Sequence, residues 1–243
     1  MILTDYLALF APIDAVAFGL MIVSWIAISW LIENPPKSKP SVSVLMNRYR
    51  YDWMREMVTR QPRMFDSQVL GLMRAGTAFF ASGTMIAIGG GMALIGNPDP
   101  LVNVAGDLSL VNAPRIVWEI KLAVVIVFLS HAFLKFVWAH RLFGYCAILM
   151  AAVPNDPSDS IAYPRATQAA EISITGSRAF NKAMRATYFS LTSAAWLLGP
   201  WPLILATLLT TAMLWRREFA SHSRKALLTA AHQDVTPSEP KTG

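Results

Sequence analysis

Apolar residues along this chain gather into four long blocks that are separated by shorter polar and basic stretches. A bilayer core of ~30 Å needs ~20 helical residues at ~1.5 Å rise each, so uninterrupted apolar runs of that length predict membrane spans. The blocks run from about 15 to 32, 75 to 95, 116 to 138 and 188 to 215. The pattern predicts an all-α membrane bundle with about four transmembrane helices.

Helix-breaking residues punctuate these blocks. A proline pair, Pro35 and Pro36, stops the first block, because proline cannot continue a helix. The fourth block is interrupted by Gly199, Pro200 and Pro202, which predict a kink. The alternative is a re-entrant hairpin whose halves are each too short to span. We prefer a single kinked crossing, since ~28 apolar residues suit a tilted span.

The connections between the blocks also contain helical patterns. Apolar side chains recur at helical spacing from 42 to 60 opposite Arg48, Asp52, Arg55 and Arg60, which predicts an amphipathic helix lying flat on the cytosolic headgroups. A second basic helix is predicted from about 167 to 185, before the fourth block. The whole forms one membrane domain, 1–228, followed by a polar tail, 229–243, predicted to be disordered.

Composition supports membrane residence. Hydrophobic residues make up 54% of the chain and charged residues 15%, whereas soluble domains carry ~25% charged residues. The net charge of +6 does not indicate nucleic-acid binding, because Lys and Arg stand beside apolar blocks, where anionic headgroups attract them. The chain is therefore expected to lie in the lipid bilayer. Its expected partner is another membrane protein or a second copy of itself in a homo-oligomer. The first block reads as a retained anchor, since Asp5 stands where a signal peptide is cationic.

Charge also predicts orientation, since Lys and Arg accumulate in short cytosolic connections. The connection after the first block is strongly basic, whereas the one after the second holds only Arg115 against Asp99 and Asp107. This predicts a multi-pass inner-membrane protein with its N-terminus outside. Four crossings would put the C-terminus outside as well, which conflicts with a basic cluster after the fourth block: Arg216, Arg217, Arg224 and Lys225.

Two groups of residues inside the blocks are candidates for function. Lys121, His131 and Lys135 are ionisable residues of the third block, and such residues are functional-site hypotheses by default. His131 and Lys135, one turn apart, could bind an anionic headgroup or relay a proton, but we prefer snorkelling and headgroup contact, and Lys121 near the other end can also snorkel to the interface. The second group, Gly83, Ala87 and Gly91, has small-xxx-small spacing. It predicts either a pore or dimer contact or, as we prefer, burial against another span of the same chain.

No constellation indicates catalysis, a cofactor or a metal. Cys146 is the only cysteine, and the histidines other than His131 fall outside the apolar blocks, which argues against bis-histidine haem. Asp156 and Asp159 alone make a weak cation site. The leading hypothesis is a non-enzymatic scaffold or accessory subunit. The alternative is a small oligomeric transporter or channel that uses the charges of the third block, and a lipid-modifying enzyme would need a nucleophile or carboxylate pair that the sequence does not offer.

Three segments of the chain carry a resemblance to a known family. They are Asp66 to Gly76, the His-containing run from Ser130 to Phe143, and Asn181 to Leu228, which contains Tyr188-Phe189, Trp196-Leu197, Gly199-Pro200 and Trp215-Arg216-Arg217-Glu218-Phe219. In order along nearly the whole chain, they resemble a family of bacterial and plant multi-pass membrane proteins known only as a domain of unknown function. The resemblance implies a four-span bundle and carries over no activity, substrate or catalytic residue.

Overall fold

The computed structural model describes residues 9–96 and 114–233, and their regular elements are all helical. The helices are α1 (Pro12–Glu33), α2 (Val42–Thr59), α3 (Met64–Gly96), α4 (Arg115–Ala151), α5 (Ala162–Ala194), α6 (Pro200–Phe219) and α7 (His222–Gln233), with a 3-10 turn (Ala195–Leu198) between α5 and α6. Three of them, α1, α3 and α4, are long and apolar enough to cross a membrane. The predicted all-α membrane bundle is confirmed.

Several helices are longer than a bilayer is thick. The 37 residues of α4 extend ~55 Å at ~1.5 Å per residue, against a hydrocarbon core of ~30 Å. The bundle therefore has two halves. The apolar half joins α1 and α6 to neighbouring parts of α4 and α5 around Met21, Phe128 and Phe189. The basic half joins α2 to the start of α3, the end of α4 and the start of α5 around Met57 and Phe143.

The amphipathic helix α2 forms where it is predicted and packs against the basic half. Ser41 caps it, since its hydroxyl accepts a hydrogen bond from the Val44 amide at 3.3 Å. Its apolar side chains Met54 and Met57 are fully buried in the core of the basic half, whose other members come mainly from α4 and α5. Protein therefore covers part of the apolar face of α2, while Met46 on the same face is 37% exposed. The position of α2 on the cytosolic headgroups stays a prediction.

The chain reverses inside the fourth apolar block, so the prediction of a single kinked crossing is wrong. The chain reverses at Gly199, whose φ of 120° and ψ of 174° are open almost only to glycine. After the reversal α6 runs antiparallel to the end of α5, since the hydroxyls of Thr192 and Thr210 lie 2.8 Å apart. Pro200 and Pro202 occupy the first turn of α6, where a missing amide costs no helical hydrogen bond. A reversal is thus observed, as in the hairpin alternative, but the 20 residues of α6 are not the short half expected there.

This reversal decides where the C-terminal basic residues lie. Arg224 at the start of α7 donates from Nε to the carbonyl of Pro40 at 2.9 Å, so α7 begins beside the connection between α1 and α2. The basic cluster after the fourth block therefore shares an end of the bundle with the other basic connections. The helix α7 reaches Gln233, into the segment predicted as a disordered tail. Residues 234–243 and the connection after the second apolar block, 97–113, lie outside the described residues.

Candidate functional site

A cluster of charged side chains lies where the apolar and basic halves meet, and Arg185 is its centre. The Arg185 side chain is only 2% exposed. Its guanidinium bonds the Glu33 carboxylate from Nη2 and donates from Nε to the Ser29 hydroxyl at 3.2 Å. The Lys182 Nζ lies 3.0 Å from the other Glu33 oxygen. One carboxylate at the end of α1 is therefore shared by two cations of α5, which joins the two helices.

A second buried carboxylate, Glu218, joins α6 to α2. Its Oε2 accepts hydrogen bonds from the Ser43 amide at 3.0 Å and the Ser43 hydroxyl at 2.9 Å. Ser43 stands in the first turn of α2, where backbone amides lack helical partners and negative charge is favoured. The buried acid thus satisfies the free end of another helix, and the hairpin is attached to the basic half at its far end.

A polar cavity of about 240 Å³ opens between these carboxylates. Glu33, Glu218, Arg50, Ser177 and Asn181 are among its lining residues. Burial lowers the pKa of the Arg50 guanidinium from its ordinary value, with the Cys146 thiol acting in the opposite direction. The Ser177 hydroxyl is buried without a hydrogen-bond partner among the described residues. The arrangement can hold a small polar group but contains no nucleophile paired with a base.

The three predicted polar residues of α4 do not converge on one site. His131 lies edge-on to Trp25, with ring centroids 5.5 Å apart, and lines a cavity of about 250 Å³ together with Glu33 and Lys182. Lys135 is half-buried one turn further along and does not line that cavity. The structure therefore brings His131, but not Lys135, to the charged cluster around Arg185.

Lys121 faces the interior of the bundle at the opposite end. It is 6% exposed, with its ammonium 5.8 Å from the ring centroid of Trp118 and 5.5 Å from that of Trp196. The Trp196 indole donates to a carboxylate oxygen of Asp14 at 2.6 Å. The interpretation that Lys121 snorkels outward is wrong, because two indoles enclose its ammonium near a buried carboxylate.

The small-residue face of α3 is covered at one position only. A Cβ atom added to Gly91 would lie 2.9 Å from Cγ1 of Ile126 on α4, so the two helices touch there. A Cβ at Gly83 would meet nothing within 4 Å, and Ala87 is exposed. Contact of this face with another span of the same chain is thus observed at Gly91, whereas a Cβ at Gly83 would meet no described residue and Ala87 is exposed.

The paired aspartates between α4 and α5 have a structural role. Asp156 accepts hydrogen bonds from the Ser158 amide and hydroxyl at 2.8 and 2.7 Å, and these bonds lower the pKa of its carboxyl. Asp159 accepts from the Ile161 amide at 3.0 Å. Both carboxylates therefore order the loop, and within the described ranges no group of three or more His, Cys, Asp or Glu could hold a metal ion.

The sequence of the chain matches a known protein family. A family profile described as "Protein of unknown function, DUF599" matches residues 16–223. The chain belongs to this family. The predicted resemblance to a membrane-protein family of unknown function is confirmed, and the match includes the Arg185 cluster and the hairpin. No curated protein and no solved structure matches the chain.

Proposed function

We propose that this DUF599 protein is a non-enzymatic membrane scaffold or accessory subunit, and that its α3 helix binds a transmembrane helix of a partner. The proposal rests on one observation. In an apolar stretch of 18 residues within α3, only 6% is buried, against 22% in the corresponding stretch of α1 and 28% in that of α4. A helix of 33 residues is thus held mainly by α4, and the rest of its surface is available to a partner.

The exposed surface of α3 has the composition of a helix-packing face. Gly76, Gly83 and Gly90 recur every seven residues, and a Cβ at any of them would meet nothing within 4 Å. Ala87 lies beside them and is exposed. In lipid, helices associate through close backbone approach at small residues, because lipid and leucine are equally apolar. A partner helix with small residues of its own fits this groove.

The state of the internal charges supports a scaffold rather than a transport path. Asp14 bonds Trp196, Glu33 bonds Arg185 and Lys182, and Glu218 bonds Ser43. These three carboxylates each join two elements of the bundle, and removing a partner from such a contact is costly. A body in which α3 is the least covered of the three long apolar helices suits assembly with other membrane proteins.

Site-specific photocrosslinking in the native membrane tests the proposal. A photoreactive residue at Ala87 should capture a discrete protein band. Val127 is the control position, because it is 66% exposed on the apolar part of α4 but lies outside the α3 face. A photoreactive residue there should meet lipid and capture no band. Ala87→Leu should abolish co-purification of the captured band without unfolding the chain, while Val127→Leu should leave it intact. Equal labelling at both positions, without a band, would show that α3 meets only lipid. A product of twice the chain mass would make the partner a second copy.

A small transporter or channel is the second candidate, and one observation favours it. Lys121 and Asp14 lie buried near one end of the apolar half, and Glu33 and Arg185 lie near the other. Intramembrane charges of this kind mark ion paths in transporters. Ion or proton flux into liposomes containing the purified protein, lost in Lys121→Met, would establish this function. If neither monovalent ions nor protons enter the liposomes, the scaffold remains the proposed function.

A further inference from the structure

A cavity of about 300 Å³ in the basic half carries two arginines and has mostly apolar walls. It lies between the start of α3 and the end of α4, and its lining includes Arg63, Ser67 and Arg74. Leu70 and Met150 are among the apolar lining residues. None of the carboxylates in the described part of the chain lines it. A cavity of this composition accepts a negatively charged group attached to an apolar body.

The two arginines carry charge that the described protein does not neutralise. Arg63 donates from Nη1 to the Val153 carbonyl at 2.7 Å and from Nη2 to the Pro154 carbonyl at 2.7 Å, so carbonyls hold it in place. Its Nε and that of Arg74 are buried without hydrogen-bond partners. Within residues 9–96 and 114–233 neither arginine pairs with a carboxylate. Asp66, next to Ser67, is already bonded to Trp53 and Arg60.

The position of the cavity along α3 indicates the source of the anion. Arg74 directly precedes the apolar segment of α3 that is predicted to enter the bilayer at about residue 75. A side chain at that point lies at the level of the lipid headgroups, where arginines favour anionic lipids. Guanidinium groups and hydroxyls are strong donors to phosphate oxygens. Leu70 and Met150 lie further from the bilayer than Arg74, so the carbon atoms of the headgroup beyond the phosphate would contact them.

We propose that this cavity is a binding site for the phosphate group of an anionic phospholipid, with Arg74 and Ser67 as donors and Arg63 as a fixed second cation. Phosphatidylglycerol is the simplest probe, because its headgroup carries no cation. Phosphatidylcholine is the matched comparison, since its phosphate is neutralised by its own quaternary ammonium. Inorganic phosphate tests whether the anion alone suffices.

The experiment titrates each probe into delipidated, detergent-solubilised full-length protein and counts bound molecules by native mass spectrometry. Phosphatidylglycerol should bind more tightly than phosphatidylcholine, and Arg74→Gln should weaken it roughly tenfold, the usual consequence of losing a charge-assisted hydrogen bond. Arg216→Gln is the control, because Arg216 is an exposed arginine that adjoins an apolar segment, as Arg74 does, but lines none of the described cavities. It should change binding less than twofold.

A second variant tests the cavity without removing charge. Gly71 lines it, and a Cβ there would meet nothing within 4 Å. Gly71→Leu should therefore block the lipid by filling the space, whereas Gly71→Ala should retain binding. Equal affinity for both phospholipids, or full binding by Arg74→Gln and Gly71→Leu, would overturn the proposal. Binding of inorganic phosphate, but not phosphatidylglycerol, through Arg74 would overturn the lipid as the source.

Discussion

The Thr192 and Thr210 hydroxyls lie 2.8 Å apart across eighteen residues of chain. In a straight helix residues eighteen apart are separated by ~27 Å, so this contact requires the chain to reverse between them. A further pair closes the same hairpin, because Arg217 donates to the Tyr188 hydroxyl at 3.2 Å. The hairpin returns the chain toward the basic half, to the side of the connection between α1 and α2. It therefore changes the expected side of the C-terminus.

The first prediction concerns membrane topology. Because Arg224 bonds the Pro40 carbonyl, reporters placed after Arg60 and after Lys225 should lie on the same side. Fusions of a reporter active only in the cytosol after Arg60, Gly106, Asp159 and Lys225 should read inside, outside, inside and inside. The excess of Lys and Arg in the basic connections predicts that this shared side is the cytosol. An outside signal after Lys225 would contradict the hairpin, and an outside signal after Arg60 would invert the orientation.

The second prediction concerns the residue that makes the reversal. Gly199 has a φ of 120°, which costs ~1–3 kcal/mol for a residue with a side chain. Gly199→Ala should therefore lower the free energy of unfolding by about that amount, measured by thermal or denaturant unfolding in detergent. Pro200→Ala is the control, since Pro200 stands in the first turn of α6 and does not set the turn. A larger loss in Pro200→Ala than in Gly199→Ala would assign the reversal to the proline.

The third prediction concerns the buried cation of the charged cluster. Arg185→Gln leaves Glu33 with Lys182 alone and removes the bond to Ser29. Breaking a buried ion pair from one side costs ~3–5 kcal/mol, and the remaining lysine should bring the loss toward the lower figure. Asp52→Asn is the surface control, because its contact to Arg48 is 3.9 Å long and both side chains are 56% exposed. Its effect should stay below ~1 kcal/mol.

The melting temperatures of the two variants in the same detergent check this prediction. Arg185→Gln should melt well below the wild type, and Asp52→Asn should melt within a few degrees of it. Similar small shifts in both would mean that water reaches the Arg185 cluster and screens it. Glu33→Gln should then also be tolerated, which a separate measurement can confirm.

Long helices could be predicted from the sequence, and the way they meet could not. The period and length of the apolar blocks located α1, α2 and the apolar parts of α3 and α4. A block of about 28 apolar residues has the same composition whether it crosses once or turns back, so only the basic cluster after it signalled the hairpin. The burial of Lys121 depends on Trp118 and on Trp196, which lies 75 positions later in the chain. No local pattern contains such a contact.

The charged cluster was missed for the same reason. Glu33 reads as a helix stop and Arg185 as a cytosolic basic residue, because each stands at the edge of an apolar block. Their contact joins residues 152 positions apart. The only signal in the sequence is that a carboxylate closes the first block and cations precede the fourth, at depths that alternate crossings place on one side.

The last prediction separates the covered and open parts of the α3 surface with two neighbouring glycines. Replacing either glycine by leucine raises helix propensity by up to ~1 kcal/mol. At Gly90 a new side chain enters open space, whereas at Gly91 it meets Ile126 at 2.9 Å from the first added carbon. Overpacking of this kind costs ~1–3 kcal/mol. Gly91→Leu should therefore be less stable than Gly90→Leu in detergent, although the two variants have the same composition.

Two measurements should rank the variants in opposite order: Gly91→Leu should lose more thermal stability, and Gly90→Leu should lose more of the crosslinked partner. Gly90→Leu should leave the melting temperature unchanged or raise it, but should reduce recovery of a protein crosslinked at Ala87, because Gly90 belongs to the open face. The main effect of Gly91→Leu should be a lower melting temperature. If Gly90→Leu destabilises the isolated chain as much as Gly91→Leu does, the open face is covered by the chain itself, and α3 has no free surface for a partner.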